Sequence, residues 1–339
     1  MLPEGLPEGR RGSFPMPATW RPELDTAVDA RFRVRYEIVG SEGAPLLVVA
    51  GGISANRHVC ANALDPSPGW WRKLVGPGLA IDTDRWQVLG FDFLGSPGTV
   101  EPPGRLHVTP GDQADAVVAL LDHLGVRRVH RVVGASYGGM VALALGCRQP
   151  ARADAVVLIG AAHRGHAQAT GVRSVQRRVV EFAIRQGRSR EGVALARALA
   201  FTTYKSAEGL DARFPFGWEW EDGTPVHAID RFLRKRGDEF AERFDAETYL
   251  TLSASIDLCE LRPEDLAVPA WFIGWEEDTL VPSWLISEAA RRVGAPAGLR
   301  LLRSEAGHDA FLLHSPAYEV ALRETLLATE PRRLASSAG

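Results

Sequence analysis

GASYG, at residues 134–138, decides how this chain is expected to fold. The pentapeptide follows an apolar run at 129–133 and precedes a helical pattern at 140–147. A G-x-S-x-G sequence between a strand and a helix is typical of a nucleophile elbow, in which glycines allow a sharp turn that exposes the serine hydroxyl. We therefore interpret Ser136 as a candidate nucleophile at the carboxyl edge of a sheet.

Short apolar runs bounded by turn residues recur along the chain and indicate buried strands of a parallel sheet. They lie at 45–50, 86–91, 129–133, 155–159, 269–273 and 299–302, and an alternating, half-buried strand precedes them at 31–39. Helical patterns separate several of these runs. The clearest one, at 114–124, follows the helix-start signal of Thr109 and Asp112 and ends before Gly125. This order predicts an α/β fold with a mostly parallel, doubly wound sheet.

The 339-residue length by itself favours two domains, whereas the pattern favours one sheet with an insertion. Residues 163–260 form a long, Arg-rich and mostly helical stretch that interrupts the strands, and we interpret it as a helical lid. The core then comprises 25–162 and 261–330. A flexible N-terminal tail is expected at 1–24, and the last residues are expected to fray.

Composition excludes several classes of protein. Hydrophobic residues make up 45% and charged residues 24%, as in an ordinary globular enzyme. Lys and Arg total 39 against 42 Asp and Glu, which argues against a nucleic-acid partner. No apolar run approaches the roughly 20 residues that span a bilayer, and the N-terminus lacks the apolar segment of a signal peptide. With only three scattered cysteines, we expect a cytoplasmic protein with no metal and no membrane partner.

A serine nucleophile needs a base, and that base needs an orienting acid. The elbow fold places them in the order Ser, Asp or Glu, and His. Asp278 and His308 each follow one of the last two predicted strands, at the sheet edge where open α/β folds bind ligands. We assign His308 as the base and Asp278 as the acid, ahead of Glu276 and Glu277. A turn residue and a helix cap are the alternative roles for the pair.

An acyl-transfer site also needs N–H donors for an oxyanion. One is expected from the backbone of Tyr137, directly after the nucleophile. The other is expected from Gly51 and Gly52, which follow the strand at 45–50 and allow close backbone approach. A plain turn is the alternative interpretation of these two glycines.

At this point the chain resembles the MetX-type homoserine O-acyltransferases, a branch of the α/β-hydrolase fold, over residues 45–313. The most specific pieces of the resemblance are GASYGGM at 134–140, RFDAETYL at 243–250 and GHDAFL at 307–312. The resemblance implies a Ser-His-Asp triad with the roles assigned above. It also implies a homodimer formed through helices of the insertion, and no metal.

The family holds its amino-acid substrate with an arginine and an aspartate, and Arg197 and Asp309 match them. A guanidinium suits the carboxylate of an amino acid, and a carboxylate suits its ammonium. Without the resemblance, Arg197 has the pattern of a solvated helix residue. Tyr204 is a further candidate for the pocket, with core packing as the alternative.

The resemblance implies ping-pong transfer of an acyl group from acyl-CoA, a co-substrate rather than a bound cofactor, to the hydroxyl of L-homoserine in methionine biosynthesis. Succinyl is favoured over acetyl, because the chain looks closer to a compact succinyl-using branch. Arg57, beyond the oxyanion loop, is a candidate cation for the distal carboxylate. Against this, Leu280 occupies a position where succinyl-specific members often carry arginine. Acetyl transfer, a serine or other alcohol acceptor, and an esterase remain alternatives, as does a binding protein without catalysis.

Arginines recur at helical spacing in the first part of the insertion. They are Arg173, Arg177, Arg178 and Arg185. A basic helix face can steer the anionic phosphates of coenzyme A, but a solvated face without a specific role is the favoured interpretation.

Overall fold

A computed structural model describes residues 6–329 of the chain, which form thirteen strands and nine α-helices. The strands are β1 (Gly9–Pro15), β2 (Arg31–Val39), β3 (Leu46–Ala50), β4 (Val75–Gly76), β5 (Ile81–Asp82), β6 (Gln87–Phe91), β7 (Val100–Glu101), β8 (Arg131–Ala135), β9 (Val156–Ile159), β10 (Trp218–Glu221), β11 (Thr224–His227), β12 (Ala270–Trp275) and β13 (Ala297–Leu302). The helices are α1 (Pro110–His123), α2 (Tyr137–Arg148), α3 (Ala167–Arg185), α4 (Ser189–Tyr204), α5 (Ala207–Arg213), α6 (Ala228–Ala241), α7 (Ala246–Asp257), α8 (Ser283–Arg292) and α9 (Pro316–Leu327).

The central sheet has the strand order β1-β2-β6-β3-β8-β9-β12-β13, with β7 paired to β2 at one edge. The six strands from β6 to β13 in this order run parallel, and β2 joins them antiparallel. Successive residues of a strand face opposite sides of a sheet. In β3, Val48 and Ala50 accordingly pack in one core with α1, α2 and α8, while Leu47 and Val49 pack in the other with α9. The prediction of a mostly parallel α/β sheet is confirmed.

The predicted strands match the observed ones to within two residues at most of their ends. The strand before the elbow is displaced, since it runs from Arg131 to Ala135 rather than over 129–133 and therefore reaches Ser136 itself. The predicted start of α1 is also correct. The hydroxyl of Thr109 accepts the N–H of Asp112, and the carboxylate of Asp112 accepts the N–H of Thr109. Gly125, with φ of 69°, follows the end of this helix.

The expectation of a flexible tail over 1–24 does not hold for β1. Residues 9–15 pair antiparallel with β2 along its length, and Phe14 is buried against the core. The sequence of β1 is polar and ends in proline, as suits an edge strand, so it carries no strong local strand signal. The expected fraying at 334–339 lies outside the described residues.

The insertion at 163–260 leaves and rejoins the core at neighbouring points. The N–H of Leu261 donates to the carbonyl of His163 at 3.0 Å, and Arg164 forms an isolated β-bridge with Glu260. Between these points lie α3 to α7, whose buried side chains form a core of their own around Val180 and Phe240. The insertion is not wholly helical, because the aromatic stretch near 214–220 contributes to a hairpin of β10 and β11.

Two further features of the described residues are the apolar length of their helices and the state of their cysteines. None of their helices is long and apolar enough to cross a membrane. Cys60, Cys147 and Cys259 are all free thiols.

Candidate active site

Ser136 lies on a strained turn between β8 and α2. Its φ is 54° and its ψ is −120°, a conformation that non-glycine residues rarely adopt. The turn is tight because its glycines touch backbone. A Cβ at Gly134 would lie 2.0 Å from the carbonyl oxygen of Gly138, and a Cβ at Gly138 would lie 2.3 Å from that of Ala50. The predicted elbow geometry is therefore present, and it projects the serine from the carboxyl edge of the sheet.

Three side chains from separate strand ends meet at this turn. The hydroxyl of Ser136 donates to Nε2 of His308 at 2.8 Å, and Nδ1 of His308 donates to Oδ2 of Asp278 at 2.7 Å. Asp278 follows β12, and His308 lies in a 3₁₀ turn after β13. Because β8, β12 and β13 are parallel members of one sheet, their carboxyl ends bring the three groups together. This hydrogen-bond chain can move a proton away from a serine nucleophile.

The environment of His308 makes its imidazole a stronger base. Burial lowers the pKa of His308, but the charge of Asp278 and its hydrogen bond raise it by more, so the pKa lies above its usual range. Asp278 is 2% exposed and is held as a carboxylate acceptor by two backbone N–H groups, from Leu280 and Val281. A raised pKa makes the neutral imidazole a stronger acceptor for the serine proton, as general-base catalysis requires.

The glycine pair after β3 divides into two structural roles. Gly52 lines the cavity in front of Ser136, and a Cβ at Gly52 would lie 4.0 Å from the serine Cβ. Gly51 does not line the cavity. Its carbonyl accepts the N–H of Gly138, and Ala55 and Trp70 fill the space where a side chain would stand. The assignment of Gly51 to the oxyanion site is therefore not supported, and its role here is to hold the turn.

Backbone donors for an oxyanion remain on both sides of the serine. Tyr137 begins α2, so its N–H has no partner within the helix. The N–H groups of Tyr137, Gly52 and Ile53 donate to no residue within 6–329. Ile53 lines the cavity beside Gly52. Its apolar side chain does not indicate, in the sequence, that its backbone N–H could donate to an oxyanion. The Tyr137 phenol points elsewhere, to Ser255 at 2.6 Å.

A cavity of about 770 Å³, including its mouth, opens in front of the serine. Arg197 and Tyr204, both from α4, lie on its wall, and Nη1 of Arg197 donates to the Tyr204 hydroxyl at 3.0 Å. The guanidinium of Arg197 lies 4.6 Å from the ring centre of Phe240 and 4.8 Å from that of Phe201. Within residues 6–329, no carboxylate forms an ion pair with Arg197. The cavity therefore contains the guanidinium of Arg197, which is held in place by neighbouring side chains and has no carboxylate partner among the described residues.

Asp309 lines the same cavity, half-buried and next to His308. Burial raises its pKa, and the nearby charges of His308, Lys205 and Arg197 oppose that rise. A partly buried carboxylate without a bound cation is a suitable partner for an ammonium group. The predicted pair, Arg197 and Asp309, is therefore brought to one cavity with Ser136.

Arg57 is not placed where the sequence suggests. It does not line the cavity, and its side chain is held against Asp92, which also accepts the backbone N–H of Arg57 at 2.8 Å. Asp92 is buried and approached by Arg35 as well. The guanidinium of Arg57 and the buried carboxylate of Asp92 therefore form an ion pair with a structural role. The structure therefore does not bring Arg57 to the cavity where a succinyl carboxylate would lie.

The arginines of α3 divide between the interior and the solvent. Arg178 and Arg185 are exposed, in agreement with a solvated basic face. Arg173 and Arg177 instead turn inward and both bind Asp257 on α7. Arg173 also lines the cavity in front of Ser136. The sequence does not predict this position of Arg173, because its partner Asp257 is 84 residues away and no local pattern indicates the contact.

The polar groups at the cavity do not resemble a metal centre. Among residues 6–329, no three or more His, Cys, Asp or Glu side chains converge in a way that would hold a metal ion. The groups are instead a nucleophile, a base, backbone donors, a cation and a carboxylate, which are the components of acyl transfer to a charged small molecule.

Comparison with known proteins agrees with this geometry. Residues 45–315 match the alpha/beta hydrolase fold family. The chain is 40% identical over 297 residues to the homoserine O-succinyltransferase of Xanthomonas campestris, covering 88% of this chain and 79% of that protein. It is 32% identical to the serine O-succinyltransferase of Xanthomonas campestris strain B100, covering 96% of this chain and 99% of that protein.

A solved structure gives the same fold. The homoserine O-acetyltransferase from Bacillus anthracis superposes with a TM-score of 0.83 over 95% of this chain and 98% of that one, at 18% sequence identity. The structural likeness concerns the fold, while the sequence identity to the curated relatives extends over most of the chain. The chain belongs to the MetX-type homoserine O-acyltransferase family of the α/β-hydrolase fold.

Proposed function

We propose that this chain transfers an acyl group, with succinyl favoured over acetyl, from acyl-CoA to the side-chain hydroxyl of L-homoserine, in methionine biosynthesis. One observation carries the proposal. The Ser136–His308–Asp278 chain of hydrogen bonds opens into the same cavity as Arg197 and Asp309. The first set suits acyl transfer, and the second suits the carboxylate and ammonium of an amino acid.

The first half of the reaction forms an acyl-enzyme. His308 Nε2 takes the proton of Ser136 as Oγ attacks the thioester carbonyl carbon of acyl-CoA. The N–H groups of Tyr137 and of the loop at Gly52 stabilise the resulting oxyanion. The C–S bond then breaks, and the thiolate of coenzyme A leaves with the proton that His308 had taken.

The second half transfers the acyl group to the amino acid. Arg197 binds the carboxylate of homoserine and Asp309 binds its ammonium, so the hydroxyl is held near the ester carbonyl. His308 takes the hydroxyl proton as that oxygen attacks, and returns it to Ser136 Oγ when the ester bond to the enzyme breaks. The free serine and an O-acyl homoserine result.

An esterase would use the same triad, with water in place of homoserine. An unpaired arginine and a carboxylate at the cavity have no use in the hydrolysis of a simple ester, which favours the transferase. The acceptor class is supported by the same two charges. They suit both homoserine and serine, and homoserine is favoured by the name of the 40% identical relative.

The test measures both products. Purified protein is mixed with succinyl-CoA or acetyl-CoA and with homoserine, serine or no acceptor. Thiol release is followed, and O-acyl amino acid is identified by mass spectrometry. We expect O-succinyl homoserine as the main product and a Ser136 acyl-enzyme when the acceptor is omitted. Thiol release that homoserine does not accelerate, with no O-acyl product, would instead establish a hydrolase.

Assembly and location belong to the same proposal. Apolar side chains of α3 and α4 face away from this single chain, namely Val175, Phe182, Ile184 and Leu195. Phe182 and Leu195 are 60% and 62% exposed, which supports packing of two copies through the insertion. The three free thiols support a reducing cytoplasm. Sedimentation analysis should give a dimer, and Phe182→Glu with Leu195→Glu should give a monomer.

A further inference from the structure

A second, narrower cleft, of about 390 Å³ when the open space at its mouth is included, also reaches Ser136. Its wall is mostly apolar, with Met140, Ile256 and Leu285 among the side chains that form it. The charged residues that line it, within the part of the chain that the structure describes, are Arg164 and Arg173. The cavity therefore combines a hydrocarbon-like wall with positive charge and, among its described lining residues, has no carboxylate.

Arg173 is built into the protein interior rather than extended into solvent. The residue is 7% exposed, and Nε and Nη2 both donate to Oδ1 of Asp257, with Nη2 also 3.3 Å from the hydroxyl of Thr170. Nη1 donates to no group within residues 6–329, and the side chain lines both cavities that reach Ser136. One edge of the guanidinium is therefore fixed by Asp257, which leaves the Nη1 donor for a ligand.

The charges around Arg173 do not cancel. Arg177 donates to the other oxygen of Asp257 at 2.7 Å, so two guanidinium groups share one carboxylate. The second arginine of the cavity, Arg164, is opposed by Glu288 on α8 at 3.1 Å. Ser253 on α7 adds only neutral acceptors, to Arg177. A net positive charge is thus held at a largely desolvated wall, where an anion is the group that stabilises it.

We propose that Arg173 forms a carboxylate subsite for the distal end of a dicarboxylic acyl group, succinyl being the fitting length. With the acyl carbonyl on Ser136, the two methylene groups lie along the apolar wall and the terminal carboxylate accepts from Nη1 of Arg173. A neutral acyl group of the same length leaves the guanidinium without an anion. The preference for succinyl-CoA over neutral acyl-CoA then has two sources. One is the ion pair between succinyl and Arg173, and the other is the cost of leaving the guanidinium without an anion when a neutral acyl group binds.

This inference rests on the proposed function, and the first experiment separates the two. Succinyl-CoA and butyryl-CoA differ only in a carboxylate in place of the terminal methyl group. For the wild-type enzyme with homoserine, we expect kcat/KM to be at least about thirtyfold higher with succinyl-CoA. A ratio near one overturns the subsite while leaving acyl transfer intact. No O-acyl homoserine from any donor overturns the proposed function itself.

The second experiment assigns the preference to Arg173. Arg173→Met should lose most of the succinyl-over-butyryl ratio while keeping turnover with butyryl-CoA or acetyl-CoA. Arg178→Met, on the exposed side of the same helix, should keep the wild-type ratio. An Arg173→Met enzyme that turns over acetyl-CoA and still prefers succinyl-CoA overturns the assignment. If that variant does not fold, Arg173→Lys, which keeps the charge, is measured instead. We expect Arg173→Lys to retain only part of the succinyl-over-butyryl ratio of kcat/KM. A ratio equal to that of the wild type overturns the assignment.

Discussion

Asp278 and His308 are joined through one carboxylate oxygen, while the other oxygen is held by backbone. Oδ2 of Asp278 lies 2.7 Å from Nδ1 of His308, and Oδ1 accepts the N–H groups of Leu280 and Val281 at 2.9 and 2.8 Å. The carboxylate cannot rotate without losing these bonds. It therefore keeps the imidazole proton on Nδ1, which leaves Nε2 to accept the proton of Ser136.

Asp278→Asn should lower kcat by about 10⁴-fold, because an amide can donate to Nδ1 and so favour the wrong tautomer. The measurement is steady-state thiol release from acyl-CoA in the presence of homoserine, from which kcat is obtained. Glu276→Gln is a matched control, since Glu276 is exposed and pairs only loosely with Arg303. The assignment of the acid is wrong if Asp278→Asn keeps activity within tenfold of wild type, or if the control loses as much.

Acid pH should inactivate the enzyme through His308. Catalysis needs the neutral imidazole, and the pKa of His308 is raised because the Asp278 charge outweighs burial. Activity should therefore fall tenfold per pH unit below a pKa that lies above the usual histidine value of about 6.5. The profile of kcat/KM for acyl-CoA against pH measures it. In the residual activity of Asp278→Asn the acid limb should move to lower pH, and an unchanged limb would contradict this cause.

The candidate triad can be predicted from the sequence because each of its side chains comes soon after a strand. A strand leaves a strong local pattern, and parallel strands end at one edge, so Ser136, Asp278 and His308 require no knowledge of distant contacts. The meeting of Arg197 and Asp309 is different. It follows from a family resemblance, since nothing local distinguishes Arg197 from a solvated helix residue.

Three expectations that the structure does not support concern contacts between residues that are distant in sequence. Arg57 has the pattern of a free cation because Asp92, its partner, lies 35 positions later. Arg173 has the pattern of a solvated face because its partner Asp257 belongs to another helix of the insertion. Similarly, β1 owes its conformation to pairing with β2 across the intervening segment, not to its own polar sequence.

Arg57→Gln should affect stability and leave donor choice unchanged. Removing the guanidinium leaves buried Asp92 with the backbone N–H of residue 57 and with Arg35, which is 3.5 Å away and partly exposed. We expect the free energy of unfolding to fall by about 1–3 kcal/mol, measured by urea denaturation. The succinyl-to-acetyl ratio of kcat/KM should match wild type. A loss of succinyl preference in this variant would restore Arg57 to the acyl site.

Gly138→Ala should damage the elbow, whereas a helix-surface glycine should tolerate the same change. A Cβ at Gly138 would lie 2.3 Å from the Ala50 carbonyl oxygen, and backbone must move to make room. We expect a loss of at least about 1–3 kcal/mol of stability together with a loss of activity. Gly171, on α3, has open space around a new Cβ, so Gly171→Ala should gain up to about 1 kcal/mol. Equal effects in thermal unfolding would contradict the account of the turn.

Arg197→Gln should separate the two halves of the reaction. The guanidinium is held by the Tyr204 hydroxyl and by the faces of Phe201 and Phe240, so it is preorganised for a carboxylate. We expect kcat/KM for homoserine to fall at least about a hundredfold, since a buried ionic contact is lost. The acyl-enzyme burst from acyl-CoA alone should be close to wild type. Arg190→Gln, on the exposed side of the same helix, is the matched control. An equal loss in the burst and in the transfer step would mean that Arg197 supports the fold of the site and not the binding of the acceptor.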